Sequence, residues 1–330
     1  MSNGPADREP LLPPRARPGA LLAIGGAEDK LGKRSVLRTF VALAGGVDAR
    51  IAVVPTASSL GPEVLEVYDA LFRRLGARDV VAARPESREQ ANDPAMVRNL
   101  DEMTGIFLTG GNQLKLSAII GGTRFGEAIR VAHERGATVA GTSAGASIQS
   151  SHMVAFGSGG ATPKQRMTQL AAGLGLVRDC VIDQHFDQRN RYGRLLMIVA
   201  QSPSLLGIGV DEDTAAIVTE DRGQQLLHVA GRGAVTILDG RDIVSNAHEA
   251  RRTAPLLASG VVLHVLPAGA AYNLTEKFLV PQKLGTDPTE SAELAVANRD
   301  LRRLARDIAA GDISPSQLRR RRARHEGDHE

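Results

Sequence analysis

Gly141-Thr142-Ser143-Ala144-Gly145 is the segment of this 330-residue chain whose residue types and spacing speak most directly of chemistry. It matches Gly-x-Ser-x-Gly, the nucleophile elbow, in which a serine stands on a sharp turn between a strand and a helix. Short Gly/Ser runs are common, so context decides. An apolar run at 137–140 precedes this one and a helical pattern follows it. Such a turn forces Ser143 into a strained backbone conformation and holds its hydroxyl out at the top of a sheet. The helix then points its N-terminus at the developing negative charge. A tetrahedral intermediate of acyl transfer needs two N–H donors. Ala144, at the helix start, is one. Gly110-Gly111 supplies the other, with Gly111 as the donor, because glycine lets backbone approach a substrate closely.

A serine nucleophile needs a base, and the chain has eight histidines. His325 and His329 lie in a polar tail, His133 near the solvent-rich end of a helix, His152 after the elbow helix, and His248 in a polar stretch. His228 and His264 alternate within β-like runs, where a structural imidazole is the ordinary occupant. His185 ends an apolar run beside Asp183, Gln184 and Phe186, and strand ends are where ligands bind in α/β sheets. A third group should orient the imidazole. Asp211-Glu212-Asp213 follows the run 207–210, and the residues alone leave open which carboxylate serves, or whether this is only an acidic turn. The order Ser, His, acid differs from the Ser, acid, His of α/β-hydrolases and argues against an esterase of that fold. Arg189, Arg191 and Arg194 come directly after His185. They read either as a solvated helix start or as carboxylate recognition, since a guanidinium pairs with a carboxylate through two parallel bonds.

These groups need a scaffold that brings them together. Strand-like runs at 20–24, 50–54, 79–83, 105–109 and 137–140 alternate with helical spacing at 32–44, 62–75, 93–102, 114–120 and 123–135. That alternation predicts parallel strands with right-handed crossovers in a three-layer α/β sandwich. Gly25-Gly26, Pro55-Thr56, Gly110-Gly111 and Ser143 all fall at strand ends, so they should meet in one crevice. Short β-like runs at 181–183, 208–210, 214–219, 226–229 and 261–265 should complete the same domain. Residues 1–18 hold five Pro and read as a disordered arm. Residues 19–285 read as the catalytic domain, and 286–330 as an amphipathic helix near 291–309 followed by a basic tail.

Composition narrows the function. Aromatics are 3% of residues with no Trp, which argues against base-stacking platforms and sugar-binding surfaces. The 40 basic residues exceed the 37 acidic ones by three, and 301–330, with eight Arg and five acids, holds that whole excess. The basic character therefore belongs to the tail, and no nucleic-acid partner is expected. No 18-residue apolar run marks a membrane span and no N-terminal stretch has signal-peptide form. The lone Cys180 sits in an apolar run and reads as a small buried hydrophobe in a cytoplasmic protein.

Taken together, several segments resemble cyanophycinase, a serine peptidase family that also contains aspartyl dipeptidase. They are Gly25-Gly26-Ala27-Glu28-Asp29-Lys30, Thr109-Gly110-Gly111-Asn112-Gln113, the elbow through Ala146, Asp183-Gln184-His185-Phe186 with its trailing Arg residues, and Gly209-Val210-Asp211-Glu212. The resemblance runs from about residue 19 to about 280, and Ala27 and Asn112 are its mild departures. It implies a fold like class I glutamine amidotransferases, flavodoxin-like, with a Ser143, His185, Glu212 triad. It implies substrate contacts at Gln113, Asp183, Gln184, Arg189, Arg191 and Arg194. It also implies a homodimer with no metal or other cofactor. The activity implied is hydrolysis of cyanophycin, a polyaspartate with Arg on each side chain, to β-Asp-Arg dipeptides. The nearest alternative is a related dipeptidase acting on Asp-X or isoaspartyl peptides. A non-catalytic α/β binding protein is another, and the intact elbow with its candidate His and Glu counts against it.

Overall fold

The computed structural model describes residues 17–61 and 63–281. The expected helix at 291–309, the basic tail and nearly all of the N-terminal arm lie outside the described residues. In chain order the elements are β1 (Leu21–Ile24), α1 (Ser35–Leu43), β2 (Arg50–Val54), α2 (Glu63–Arg74), β3 (Asp79–Ala82), α3 (Pro94–Arg98), β4 (Gly105–Leu108), α4 (Gln113–Ile120), α5 (Arg124–Glu134), β5 (Thr138–Thr142) and α6 (Ala144–Ser147). There follow β6 (His152–Gly157), β7 (Thr168–Ala172), β8 (Cys180–Gln184), α7 (Tyr192–Gln201), β9 (Leu206–Val210), β10 (Thr214–Asp221), β11 (Gln224–Gly231) and β12 (Ala234–Asp239). The last are β13 (Val244–Ser245), β14 (Ala258–Ser259), β15 (Val262–Pro267), β16 (Ala271–Asn273) and β17 (Phe278–Leu279).

One nine-stranded sheet runs in the order β17-β16-β11-β10-β1-β5-β4-β2-β3. Its five-strand core, β1, β5, β4, β2 and β3, is parallel throughout. These strands read as unbroken apolar runs because both faces are covered. Side chains alternate between the two faces. Leu21, Ala23, Ala52, Val54, Ile106 and Leu108 enter one core with Leu116, Ile120, Phe125 and Ile129 of α4 and α5. Leu22, Ile24, Ile51, Val53 and Phe107 enter the other with Val36, Leu37 and Phe40 of α1 and Tyr68, Leu71 and Phe72 of α2. The result is helix, sheet, helix.

The β-rich second half divides in two. β10, β11, β16 and β17 continue the main sheet in antiparallel fashion. β8, β9, β12 and β15 form a separate sheet, in which β8 and β9 are parallel and α7 joins them. Two two-stranded pairs, β6–β7 and β13–β14, belong to neither of these sheets. β8 delivers His185 and β9 delivers the acidic turn, so their parallel pairing brings both to the same end.

Candidate active site

The elbow is built by close backbone approach. A side-chain carbon on Gly141 would lie 2.0 Å from the carbonyl oxygen of Gly145, and one on Gly145 would lie 2.2 Å from that of Leu108. Ser143 between them has φ 52 and ψ −109 and caps α6. A non-glycine residue held there costs about 1–3 kcal/mol and persists only when its surroundings fix it. Part of the fixing is the N–H of Ser143, which donates to the carbonyl of Ile24 at 2.9 Å.

His185 Nε2 lies 3.0 Å from Ser143 Oγ, and His185 Nδ1 lies 2.6 Å from Glu212 Oε1. An ionised carboxylate only accepts, so Nδ1 carries the proton and Nε2 is free to accept from the serine. Among the described residues no other histidine hydrogen-bonds Ser143. The neighbouring acids are otherwise engaged. Asp211 accepts from the N–H of Asp187 and of Ala234, and Asp213 accepts from the N–H of Asp29. Glu212 is anchored through its own N–H, which Gln188 Oε1 accepts at 2.9 Å. Burial holds the His185 pKa below its ordinary value; the bond to Glu212 opposes this, while the charges of Arg189 and Arg191 add to it. The imidazole is thus neutral and able to accept a proton at neutral pH.

The strand ends converge as their positions require. The N–H of His185 donates to Gly25 O at 2.8 Å, and Gly26 lies under the imidazole, where an added carbon would fall 2.3 Å from Cε1. Gly110 faces the Cβ of Ser143. Among the described residues no carbonyl accepts the N–H of Gly111, and Ala144 is the first residue of α6, where helix N–H groups have no intrahelical partner.

The arginine run is arranged differently from the sequence expectation. Asp183 is wholly buried. Its carboxylate accepts from Arg194 Nε at 2.6 Å, from Arg194 Nη2, and from Arg191 Nη1 at 3.1 Å. Arg191 also donates to the carbonyl and side-chain oxygens of Gln184, and Arg194 to Gly157 O. Gln184 donates in turn to Gln113, which donates to Val154 O. Asp183, Gln184, Arg191 and Arg194, which the resemblance implies as substrate contacts, are buried here and bonded mainly to one another, because guanidinium groups withdrawn from water must find carboxylates within the protein. Desolvation lowers the Arg191 pKa to about 10 even beside Asp183. Arg189 is the exception. It is exposed, and its guanidinium has no hydrogen-bond or ion-pair partner among the described residues. Gln113 remains half-buried at the rim.

Sequence reasoning gave no role to Glu28. It is buried, and it accepts hydrogen bonds from Thr142, Tyr68 and Lys30. The one signal for it was its place in a quoted motif. Among the described residues no group of three or more His, Cys, Asp or Glu is placed to hold a metal ion, and no described helix is long and apolar enough to cross a membrane. Cys180 is buried and its thiol is pushed up to about 12 by desolvation, so it stays protonated.

Comparison with known proteins gives one answer. The family model for Peptidase family S51 matches residues 21–226. Cyanophycinase from Nostoc sp. is 39% identical over 270 residues, which is 81% of this chain and 90% of that protein. Cyanophycinase from Geminocystis herdmanii is 38% identical over 256 residues, 77% of this chain and 93% of that one. In fold, the chain is similar to the crystal structure of a peptidase from an acI-B1 Actinobacterium, with a TM-score of 0.54 at 23% identity, covering 75% of this chain and 98% of that one.

Proposed function

Given that the chain belongs to peptidase family S51, we propose that it is a cyanophycin-degrading serine peptidase with Ser143, His185 and Glu212 as its catalytic triad. The observation that carries the triad is the unbroken chain Ser143 Oγ, His185 Nε2, His185 Nδ1, Glu212 Oε1, with its links of 3.0 and 2.6 Å. Ser143 Oγ attacks the scissile carbonyl carbon as its proton passes to His185 Nε2. Glu212 holds the imidazole in position and stabilises its charged form. The oxyanion is received by the N–H groups of Gly111 and Ala144. His185 then gives its proton to the leaving nitrogen, and an acyl ester remains on Ser143. A water attacks that ester, gives its proton to His185, and Ser143 is released. The curated relatives support cyanophycin as substrate. Arg189, the free guanidinium beside His185, is the group that takes a substrate carboxylate, with Gln113 at the rim.

The finer parts of this reading are a class I glutamine-amidotransferase-like fold over residues 19–285, with the arm and tail outside it, and a cytoplasmic homodimer. A nucleophile at the end of a central parallel strand, followed directly by a helix, supports the fold. The single buried thiol supports a reducing compartment. Light scattering of the purified protein tests the dimer. The activity is tested by incubating the enzyme with insoluble cyanophycin and weighing the soluble product by mass spectrometry. A β-Asp-Arg dipeptide is expected. Intact cyanophycin together with cleavage of short Asp-X or isoaspartyl peptides would replace this reading by the dipeptidase one.

A further inference from the structure

One short segment at the end of β1 hydrogen-bonds Ser143, His185 and the neighbour of Glu212. The carbonyl of Ile24 accepts the N–H of Ser143, Gly25 O accepts that of His185, and Gly26 O accepts that of Asp213, next to Glu212. The N–H of Asp29 donates to Asp213 Oδ1 at 2.9 Å. Four non-glycine residues with left-handed backbone meet here: Ala27 (φ 47), Ser143 (φ 52), His185 (φ 46) and Asp213 (φ 50). Two of them are triad members. Conformations of this kind survive only where neighbours over-determine them. The side chain in this segment that reaches towards the nucleophile belongs to Glu28. Its Oε2 accepts from Thr142 Oγ1 at 2.5 Å, and Thr142 is bonded in sequence to Ser143. Its Oε1 accepts from Tyr68 OH of α2 at 2.6 Å and from Lys30 Nζ at 2.7 Å.

We propose that Glu28 is a positioning residue for the nucleophile, acting through Thr142 to fix the elbow in its reactive geometry. The proposal rests on the triad reading. A solvent-facing carboxylate could not do this. Glu28 is 4% exposed, with donors from β5, α2 and its own loop fixing both oxygens, so Thr142 has one place to go. Burial alone would raise the Glu28 pKa, but the charge of Lys30 and the hydrogen bonds from Lys30, Thr142 and Tyr68 outweigh it and hold the carboxyl ionised, below its ordinary value. An ionised acceptor makes the Thr142 bond stronger than a neutral one would. The contrast with Asp29 is instructive. The carboxylate of Asp29, one residue on, accepts only from three backbone N–H groups of its own loop.

The test compares Thr142→Val, Thr142→Ser, Glu28→Gln and the double variant Glu28→Gln/Thr142→Val, with Ser143→Ala run alongside, on cyanophycin. Displacing a reacting group by about 1 Å costs on the order of a hundredfold, so Thr142→Val and Glu28→Gln should each lower kcat roughly ten- to a hundredfold. KM should move little, since neither residue meets the substrate. Thr142→Ser keeps the hydroxyl and should rescue the rate. The double variant should be no slower than the slower single one, because both remove one interaction. Thr142→Val at the wild-type kcat, losses that multiply in the double variant, or losses confined to KM would each overturn the proposal. Should Glu28→Gln fail to fold, Thr142→Val against Thr142→Ser decides alone. An active Ser143→Ala would instead remove the triad reading beneath it.

Discussion

Replacing Asp183 by Asn separates a framework role from a substrate role more sharply than any other change in the arginine cluster. Asn has almost the same volume, so packing is preserved, but the negative charge goes and one oxygen becomes an NH2 group. Asp183 is wholly buried and accepts two bonds from Arg194, one from Arg191 and one from the N–H of Gln184. The variant would leave two buried guanidinium groups without a carboxylate and point a donor at one of them. Removing one partner from a buried ion pair costs about 3–5 kcal/mol, chiefly the desolvation of the charge left behind. For a domain of this size each kcal/mol lowers Tm by about 2–4 °C, so the shift should be roughly 6–20 °C. The assay is equilibrium denaturation in guanidinium chloride, with kcat and KM measured on the fraction still folded. A large fall in stability at unchanged slope is expected, with KM on the folded enzyme moving less than about threefold, under 1 kcal/mol of binding. A stability loss below about 1 kcal/mol joined to a KM raised tenfold or more, worth about 1.4 kcal/mol of binding, would refute the argument and return Asp183 to the substrate.

Ser143→Ala should abolish turnover, by about a million-fold if the triad acts as a unit, and His185→Ala should be nearly as damaging. Glu212→Gln should keep more activity, since orientation is lost but the base remains; rates on soluble cyanophycin check all three. The His185 pKa lies below its ordinary value, and only the neutral imidazole accepts the serine proton, so kcat/KM should be full at neutral pH and fall on the acid side with a midpoint below about 6.5; a midpoint above 7 would contradict the buried geometry. Arg189→Ala should lower kcat/KM on cyanophycin roughly ten- to a hundredfold, the worth of one charge-assisted bond, and much less on a minimal ester with no carboxylate. The same variant should move the acid midpoint upward, because the charge of Arg189 helps to keep His185 neutral.

The parallel core was readable because burial on both faces leaves an unmistakable trace. Ile51, Ala52, Val53 and Val54 alternate between two cores, and no polar residue interrupts them. The elbow was readable for a related reason: Gly141 and Gly145 occupy spaces that admit no side chain. The division of the second half into two sheets was not readable. β9 and the middle of β10 are both apolar β-like runs, and only the acidic turn between them separates a strand of the small sheet from one of the main sheet. Nor could the arginine run be resolved. Sequence displays charge, whereas burial decides its use, and Arg189 and Arg191, two residues apart, have opposite fates. The chain leaves β8 and turns at His185, with φ 46, so strand alternation no longer says which side chain faces inward. Glu28 and Asp29 pose the same difficulty in adjacent positions, one holding the elbow and the other its own loop.

The charges about His185 also constrain one another. The buried cluster of Asp183, Arg191 and Arg194 keeps a surplus of positive charge, and Arg189 adds another at the surface. In the proposed mechanism the exposed Arg189 draws a carboxylate of the substrate. Arg189 and Arg191 also disfavour a proton on His185, which is what the proposed general base needs before it acts. The two demands oppose each other once the reaction begins, since the imidazole must then carry a positive charge. Glu212, 2.6 Å from Nδ1, meets that need from the far side of the ring, and the oxyanion that the proposed mechanism forms on the substrate carbonyl, at Gly111 and Ala144, gives the surrounding cations something to attract. A site with the arginines but without Glu212 would bind its substrate and hold a neutral base, yet resist the transfer of the proton. In the proposed mechanism the carboxylate is therefore the element that lets a base kept neutral by neighbouring positive charge still take up the serine proton.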